Sequence, residues 1–167
     1  MSLGEVVDFC YGKPLKEESR VEGSIPVYGS NGLIGWHNKS IVRGPGIIVG
    51  RKGNPGTVTL SMTDFFPIDT TFYIVTKGLI RSIYFLFISL VHQNLSLLIS
   101  DTAVPGLNRN IAYNNKILVP DLELIKKFDS CVIPFYDRIN MNQKQLLVLS
   151  SLRDFILPKL LSGEIRT

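Results

Sequence analysis

The sequence is poor in the groups that carry out chemistry. Its 167 residues include two histidines and two cysteines. Neither His37 nor His92 has a cysteine or carboxylate at metal-ligand spacing, which argues against a zinc site. Cys10 and Cys131 make neither a metal pair nor a disulfide framework, so both are expected to be buried free thiols in a reducing cytoplasm. Long apolar runs are missing too. In the most membrane-like stretch, 79–99, Arg81 and His92 leave ten residues between them, whereas a bilayer needs about 20. A buried helix is expected there, and no membrane partner. The start lacks the basic residues and apolar core of a signal peptide. The glycine-rich stretch 50–56 has no trailing Lys-Ser/Thr before a helix, so it is no phosphate-cradling loop. Repeats and low-complexity tracts are absent, and the ordinary composition excludes disorder.

What charge there is lies in one place. The net charge is +4, with 11 basic against 8 acidic residues up to Pro120 and 7 against 6 beyond it. Between Arg20 and Lys52, however, Arg20, Lys39, Arg43, Arg51 and Lys52 face Glu22 alone. A local excess of this kind suits a polyanion without requiring one.

Taken in order, residues 3–11 read as a helical turn or strand, and Gly12-Lys13-Pro14 breaks it. Residues 16–22 are an exposed connection. Short strand-like runs follow at 25–28, 33–36, 47–49, 57–60 and 71–75, punctuated by glycines, which indicates a small twisted antiparallel sheet. A helix is expected over 79–91, a shorter one over 95–100, a loop over 102–110 and a last strand over 116–119. The predicted class is α+β: a small globular domain over 1–120 with a twisted, mainly antiparallel sheet and short helices, then a long helix over 121–167.

That helix has the most regular pattern in the chain. From Ile125, steps of three and four pass through Phe128, Val132, Phe135, Ile139, Asn142, Leu146, Leu149, Arg153, Ile156 and Leu160. Such alternation keeps one seam facing a partner over many turns, and an isolated polar residue within it often sets register. Pro120-Asp121 marks the start, since Asp is a favoured N-cap. Pro134 should kink the helix or divide it. Residues 121–157 would extend about 55 Å, against a radius of gyration near 15 Å for a domain of this size. The seam therefore predicts a spacer that docks on another helix, and the competing reading is a terminal helix lying on its own domain.

Catalysis has little support. Asn54-Pro55-Gly56 is similar to the Asn-Pro-Pro motif of amino-methyltransferases but lacks its second proline and aromatic residue. Pro120-Asp121 with Glu123 and Lys126 has the wrong spacing for a nuclease cluster, and Asp121 already serves as a cap. What remains is a surface suited to reading a polymer: asparagine matches adenine edges, arginine and lysine match guanine or phosphate, and serine suits either. The candidate contacts are Lys13, Lys16, Arg20, Ser30, Asn31, His37, Asn38, Lys39, Arg51, Lys52, Asn54, Asn108 and Arg109. Against these stand turn duty for the glycines and asparagines, and a core position for Trp36.

Several motifs in a fixed order carry a resemblance. They are Ile25-Pro26-Val27-Tyr28-Gly29-Ser30-Asn31-Gly32 with Ile34-Gly35-Trp36, then Gly44-Pro45-Gly46-Ile47-Ile48-Val49-Gly50-Arg51-Lys52-Gly53, then Pro67-Ile68-Asp69-Thr70-Thr71-Phe72-Tyr73. Ala103-Val104-Pro105-Gly106-Leu107-Asn108-Arg109 follows. Leu152-Arg153-Asp154 and Leu157-Pro158-Lys159-Leu160-Leu161-Ser162-Gly163-Glu164-Ile165 close the series. Over nearly its whole length the chain resembles the DNA-specificity subunit of type I restriction–modification systems.

That resemblance implies two target recognition domains in full-length members, each followed by a conserved-region helix, with the two helices packed as an antiparallel coiled coil. It implies a non-catalytic subunit that places adenine methyltransferase and restriction subunits on a bipartite target in double-stranded DNA. Such a subunit holds no cofactor of its own; S-adenosylmethionine, ATP and magnesium belong to its partners. One domain and one helix here imply a half-length unit that pairs with itself as a homodimer, or half of a longer protein. Two alternatives remain at this stage: an interaction or antagonist protein docking through its helix without specific DNA binding, and a small nuclease or methyltransferase with an unrecognised site.

Overall fold

A computed structural model of the chain describes residues 1–98 and 106–164. The ends of the expected 95–100 helix and 102–110 loop lie outside the described residues, as do Ala103 to Pro105 and Ile165 of the motifs. The chain divides into two compact units, Met1–Lys126 and Lys127–Thr167. The class is α+β, as expected.

The first unit contains two sheets where the sequence suggests one. The larger is antiparallel throughout and has four strands: β1 (Val7–Tyr11), β4 (Gly46–Gly50), β5 (Val58–Ser61) and β7 (Thr71–Thr76), in the order β1-β7-β4-β5. Every residue of β4 is buried, as an uninterrupted Ile-Ile-Val run requires when both faces are covered. The smaller sheet orders β3 (Gly32–His37), β2 (Ile25–Gly29) and β6 (Phe66–Pro67) as β3-β2-β6. Its β2–β6 pair is parallel, so the antiparallel expectation holds for most strand pairs but not for all.

One face of the large sheet carries the core. Phe9, Ile47, Val49, Phe72 and Ile74 pack with Leu3, Val6, Leu86, Leu90, Leu95 and Ala112. Three short helices cover it: α1 (Leu3–Val6), α2 (Ile83–His92) and α3 (Arg109–Asn114). At residues 3–11 both readings hold in succession, one helical turn and then a strand. Helix α2 starts four residues later than expected because Ser82 caps it, accepting from the Phe85 N–H at 3.0 Å. Leu86 and Leu90 are its buried positions; it is half-covered, not buried. Gly56, at φ +84°, packs so closely on the 95–98 turn that a Cβ would collide with the Ser96 N–H.

Three further expectations are corrected. The last strand, 116–119, is reduced to a single antiparallel bridge between Lys116 and Ser2. Its partner segment turns into α1 at Leu3, so the ladder has nowhere to extend. The 102–110 loop hides the start of α3. Cys10 is half-buried and Cys131 exposed, so the thiols are free but not both interior.

Helix α4 (Leu122–Leu161) is continuous over 40 residues, about 60 Å. It passes through Pro134 and Pro158 without a break. A proline removes one N–H bond at a cost near 3 kcal/mol, and the bonds on either side carry the helix across. Asp121 does cap it: its carboxylate accepts from the Leu124 N–H at 2.8 Å. Within the seam Phe128 and Val132 are half-buried, while Phe135, Ile139, Leu146, Leu149, Ile156 and Leu160 are exposed in the single chain. Asn142 is exposed, and Arg153 pairs with the adjacent Asp154 at 2.7 Å. Among the described residues no helix is long and apolar enough to cross a membrane. Asp121→Ala is expected to lower stability by about 1 kcal/mol, read as a lower unfolding temperature of the helical circular-dichroism signal. An unchanged temperature would mean that water replaces the cap.

Candidate nucleic-acid interface

Three segments far apart in sequence meet at one end of the large sheet. Strand β1 ends at Tyr11, β4 runs directly into Arg51 and Lys52, and the segment before α3 lies alongside them. Backbone bonds set the arrangement: the Arg51 and Lys52 N–H groups donate to Thr70 O at 2.9 and 3.1 Å, and the Leu107 N–H donates to Arg51 O at 2.9 Å. A bridge joins Lys52 to Gly106. The result is a cleft of about 410 Å³ lined by Tyr11, Arg51, Lys52, Phe72, Gly106, Leu107, Asn108, Arg109 and Asn110.

Two guanidinium groups lie against one ring. The Arg51 and Arg109 guanidinium carbons are 5.2 and 5.3 Å from the centre of Tyr11, and Arg109 is also 5.9 Å from Tyr113. At these distances the ring quadrupole attracts the cations. Arg51 is further fastened, donating from Nε and Nη2 to Asp69 O at 3.1 and 2.7 Å. Phe72 forms the floor, its ring 5.0 Å from Tyr11. Among the described residues, the ion pairs are Lys77–Asp8, Lys126–Glu123 and Arg153–Asp154. Arg51, Lys52 and Arg109 therefore concentrate positive charge with no ion-paired carboxylate among the described residues.

The hairpin joining β2 to β3 extends this surface. Its two-residue tip is Ser30-Asn31, with Gly32 at φ +96° accommodating the turn. A Cβ on Gly53 would come within 3.1 Å of Ser30 Oγ, and Gly53 sits at φ +80°. The tip thus rests on the loop that carries Arg51, Lys52 and Asn54. Of the expected contacts, Ser30, Asn31, Arg51, Lys52, Asn54, Asn108 and Arg109 are brought into one region. Asn108 has already committed its carbonyl, which accepts from the Asn110 and Ile111 N–H groups as the cap of α3.

The remaining candidates fall elsewhere. Lys13 bridges to Ile68, and Lys16 precedes the 3-10 turn Glu17–Ser19. Arg20 donates through Nη1 to Ile34 O at 2.9 Å. Asn38 and Lys39 follow β3 at the end away from the hairpin tip. His37 faces inward, 7% exposed; its Nδ1 accepts from the Val21 N–H at 3.0 Å and its ring meets Phe66 edge-on. Trp36, expected in the core, is instead 40% exposed. Tyr11 and Tyr113 were not singled out by the sequence reading. The available signal was the i, i+4 spacing of Arg109 and Tyr113, which places them on one helix face.

Burial, and then Cys10 opposite it, raises the pKa of Tyr73, a residue that does not line the cleft. Among the described residues no cluster of three histidine, cysteine or carboxylate side chains could hold a metal.

Comparison with known proteins bears out the resemblance read from the motifs. No family model matches the chain. It is 40% identical over 68 residues to the type I restriction enzyme MjaIX specificity subunit of Methanocaldococcus jannaschii, a match covering 41% of this chain and 16% of that protein. In fold it is similar to the type I restriction–modification S subunit of M. genitalium, with a TM-score of 0.79 at 18% identity over 97% of this chain and 45% of that one. The HsdS subunit of Thermoanaerobacter tengcongensis gives a TM-score of 0.58 at 16% identity, over 99% of this chain and 45% of the other. The chain thus spans less than half the length of these proteins.

Proposed function

We propose that this chain is a non-catalytic, sequence-specific DNA-binding unit of the type I specificity-subunit kind, equivalent to one half of the longer proteins it resembles. Residues 1–120 act as its target recognition domain. Residues 121–167, built on helix α4, serve as spacer, dimerisation element and dock for methyltransferase subunits. A second copy covers the α4 seam in antiparallel fashion, and the chain works in the cytoplasm. S-adenosylmethionine, ATP and magnesium are bound by the methyltransferase and restriction subunits that it directs to a bipartite site.

The observation that carries this reading is the cleft in which Arg51, Lys52 and Arg109 converge, with no ion pair to a carboxylate among the described residues. Cations left unneutralised in a concave surface match a polyanion, and the asparagine and serine side chains around them match base edges. The test is duplex binding as a function of salt. The chain is expected to bind duplex DNA with a steep salt dependence, and selection from random duplexes should return an inverted repeat, because a two-fold dimer presents two identical readers. Joint replacement of Arg51 and Lys52 by alanine should weaken binding and flatten the logarithmic salt slope by up to roughly 2. An intact chain that ignores duplex DNA would discard this function in favour of an interaction protein acting through its helix. An unchanged slope in the double variant would move the interface off the cleft.

A further inference from the structure

We infer that Arg109, held between the rings of Tyr11 and Tyr113, is a specificity-determining residue that reads a guanine, and that Tyr11 is its positioning residue. The inference rests on the DNA-binding reading above and goes further by dividing the labour within the cleft.

The three cations are not equivalent. Arg51 has spent its Nε and Nη2 edge on its own chain, donating from both to Asp69 O. It keeps its Nη1–Nη2 pair, but the Nε edge is committed to holding its own loop. Lys52 is exposed and is a compact point charge, which suits phosphate and cannot make a planar two-point contact. Arg109 lies against two rings, Tyr11 and Tyr113, rather than being fastened to a backbone carbonyl through its Nε edge. Among the described residues its bond to the protein is Nη1 to Phe9 O, at the 3.5 Å limit, which leaves the Nε–Nη2 edge without a partner there. Guanine presents O6 and N7 side by side in the major groove and takes two parallel N–H donors from arginine.

What restrains this guanidinium is aromatic. The Arg109 guanidinium carbon is 5.3 Å from the centre of Tyr11 and 5.9 Å from that of Tyr113. Tyr113 is itself anchored, its hydroxyl accepting from the Phe9 N–H at 3.1 Å. Tyr11 is 53% exposed, unusual for an aromatic at the end of a buried strand. The centre of its ring lies 5.2 Å from the Arg51 guanidinium carbon and 5.3 Å from that of Arg109. A guanidinium free to rotate would contact phosphate as well as base; attraction to two rings narrows the orientations open to it.

The experiment uses the full chain and sequences selected from random duplexes. Arg109→Lys keeps the charge and removes the fork. It should leave the salt slope near that of the parent while the guanine preference at one position in each half-site falls roughly ten- to a hundredfold. Tyr11→Leu should lower the same preference at the same position, and Tyr11→Phe, which keeps a ring, should restore most of it. A residue that merely stabilised the domain would weaken all sequences equally. If Arg109→Lys selects the parent sequence with undiminished preference, Arg109 contacts phosphate and the inference is overturned. If Tyr11→Leu and Tyr11→Phe discriminate alike, the positioning role is overturned. If the parent chain shows no salt-dependent duplex binding, the inference falls together with the proposed function.

Discussion

Under the proposed pairing of α4 with a second copy, Leu149→Asp is expected to leave the chain monomeric in sedimentation velocity while Met1–Lys126 stays folded. The reason is the seam of α4. Leu149 is 61% exposed in the single chain, and Phe135, Ile139, Leu146, Ile156 and Leu160 of the same seam are exposed too. A run of this length is far more apolar surface than a solvated helix needs, and isolated surface leucines do not repeat in steps of three and four. Burying one such side chain contributes roughly 1.5–3 kcal/mol. In a two-fold dimer each substitution counts twice, so the loss is about 3–6 kcal/mol, or two to four orders of magnitude in the dissociation constant. Asp137→Ala, at an exposed position outside the seam, serves as the control and should leave the dimer intact. A Leu149→Asp chain that sediments as the parent does would show that the seam does not hold a second copy.

The largest stability effect is expected at Phe9. This side chain is 1% exposed and meets Phe72 and Tyr113 edge-on, with ring centres 5.7 and 5.6 Å apart. Phe9→Ala should cost about 3–5 kcal/mol through lost burial and the cavity left behind, a large part of the 5–15 kcal/mol that holds a domain together. The unfolding temperature should fall by more than about 10 °C. The cleft should suffer as well, because Phe72 and Tyr113, on which Tyr11 and Arg109 lean, both lose a packing partner. One position away on the paired strand, Val75 is 44% exposed, and Val75→Ala should change stability by no more than about 0.5 kcal/mol. Equal effects at the two positions would refute the assignment of β1 faces.

Several departures from the sequence reading have one physical origin. Period-two alternation says which residues share a face only while the register is unbroken. In the β2–β3 hairpin Tyr28 pairs with Leu33 but Val27 with Gly35, so Ile34 is an extra residue. A bulge of this kind exchanges the faces of everything beyond it. It turns His37 inward and Trp36 outward, against the ordinary preference of both side chains. Helix α3 escaped notice because six residues are too few for a period to declare itself, and its cap, Asn108, serves a loop equally well. The second sheet was unreadable for a related reason: β6 is two residues long, and its parallel pairing to β2 leaves no local mark.

By itself, the sequence determined what depends on neighbours along the chain. The short strands between glycines, the Asp121 cap, the unbroken period of α4 and the order of motifs all belong to this kind, because local propensity and periodicity act over a few residues to a few turns. The two loops at 50–56 and 107–110 were legible as polar and basic, each as a separate suggestion. Only the tertiary structure decided that they form one surface. Arg51 and Arg109 are 58 positions apart, and what joins them is Tyr11, delivered by a strand that pairs with β7 and so lies two strands from β4. Sheet order is set by which apolar faces can be buried together, a property of the whole core that no window of sequence contains.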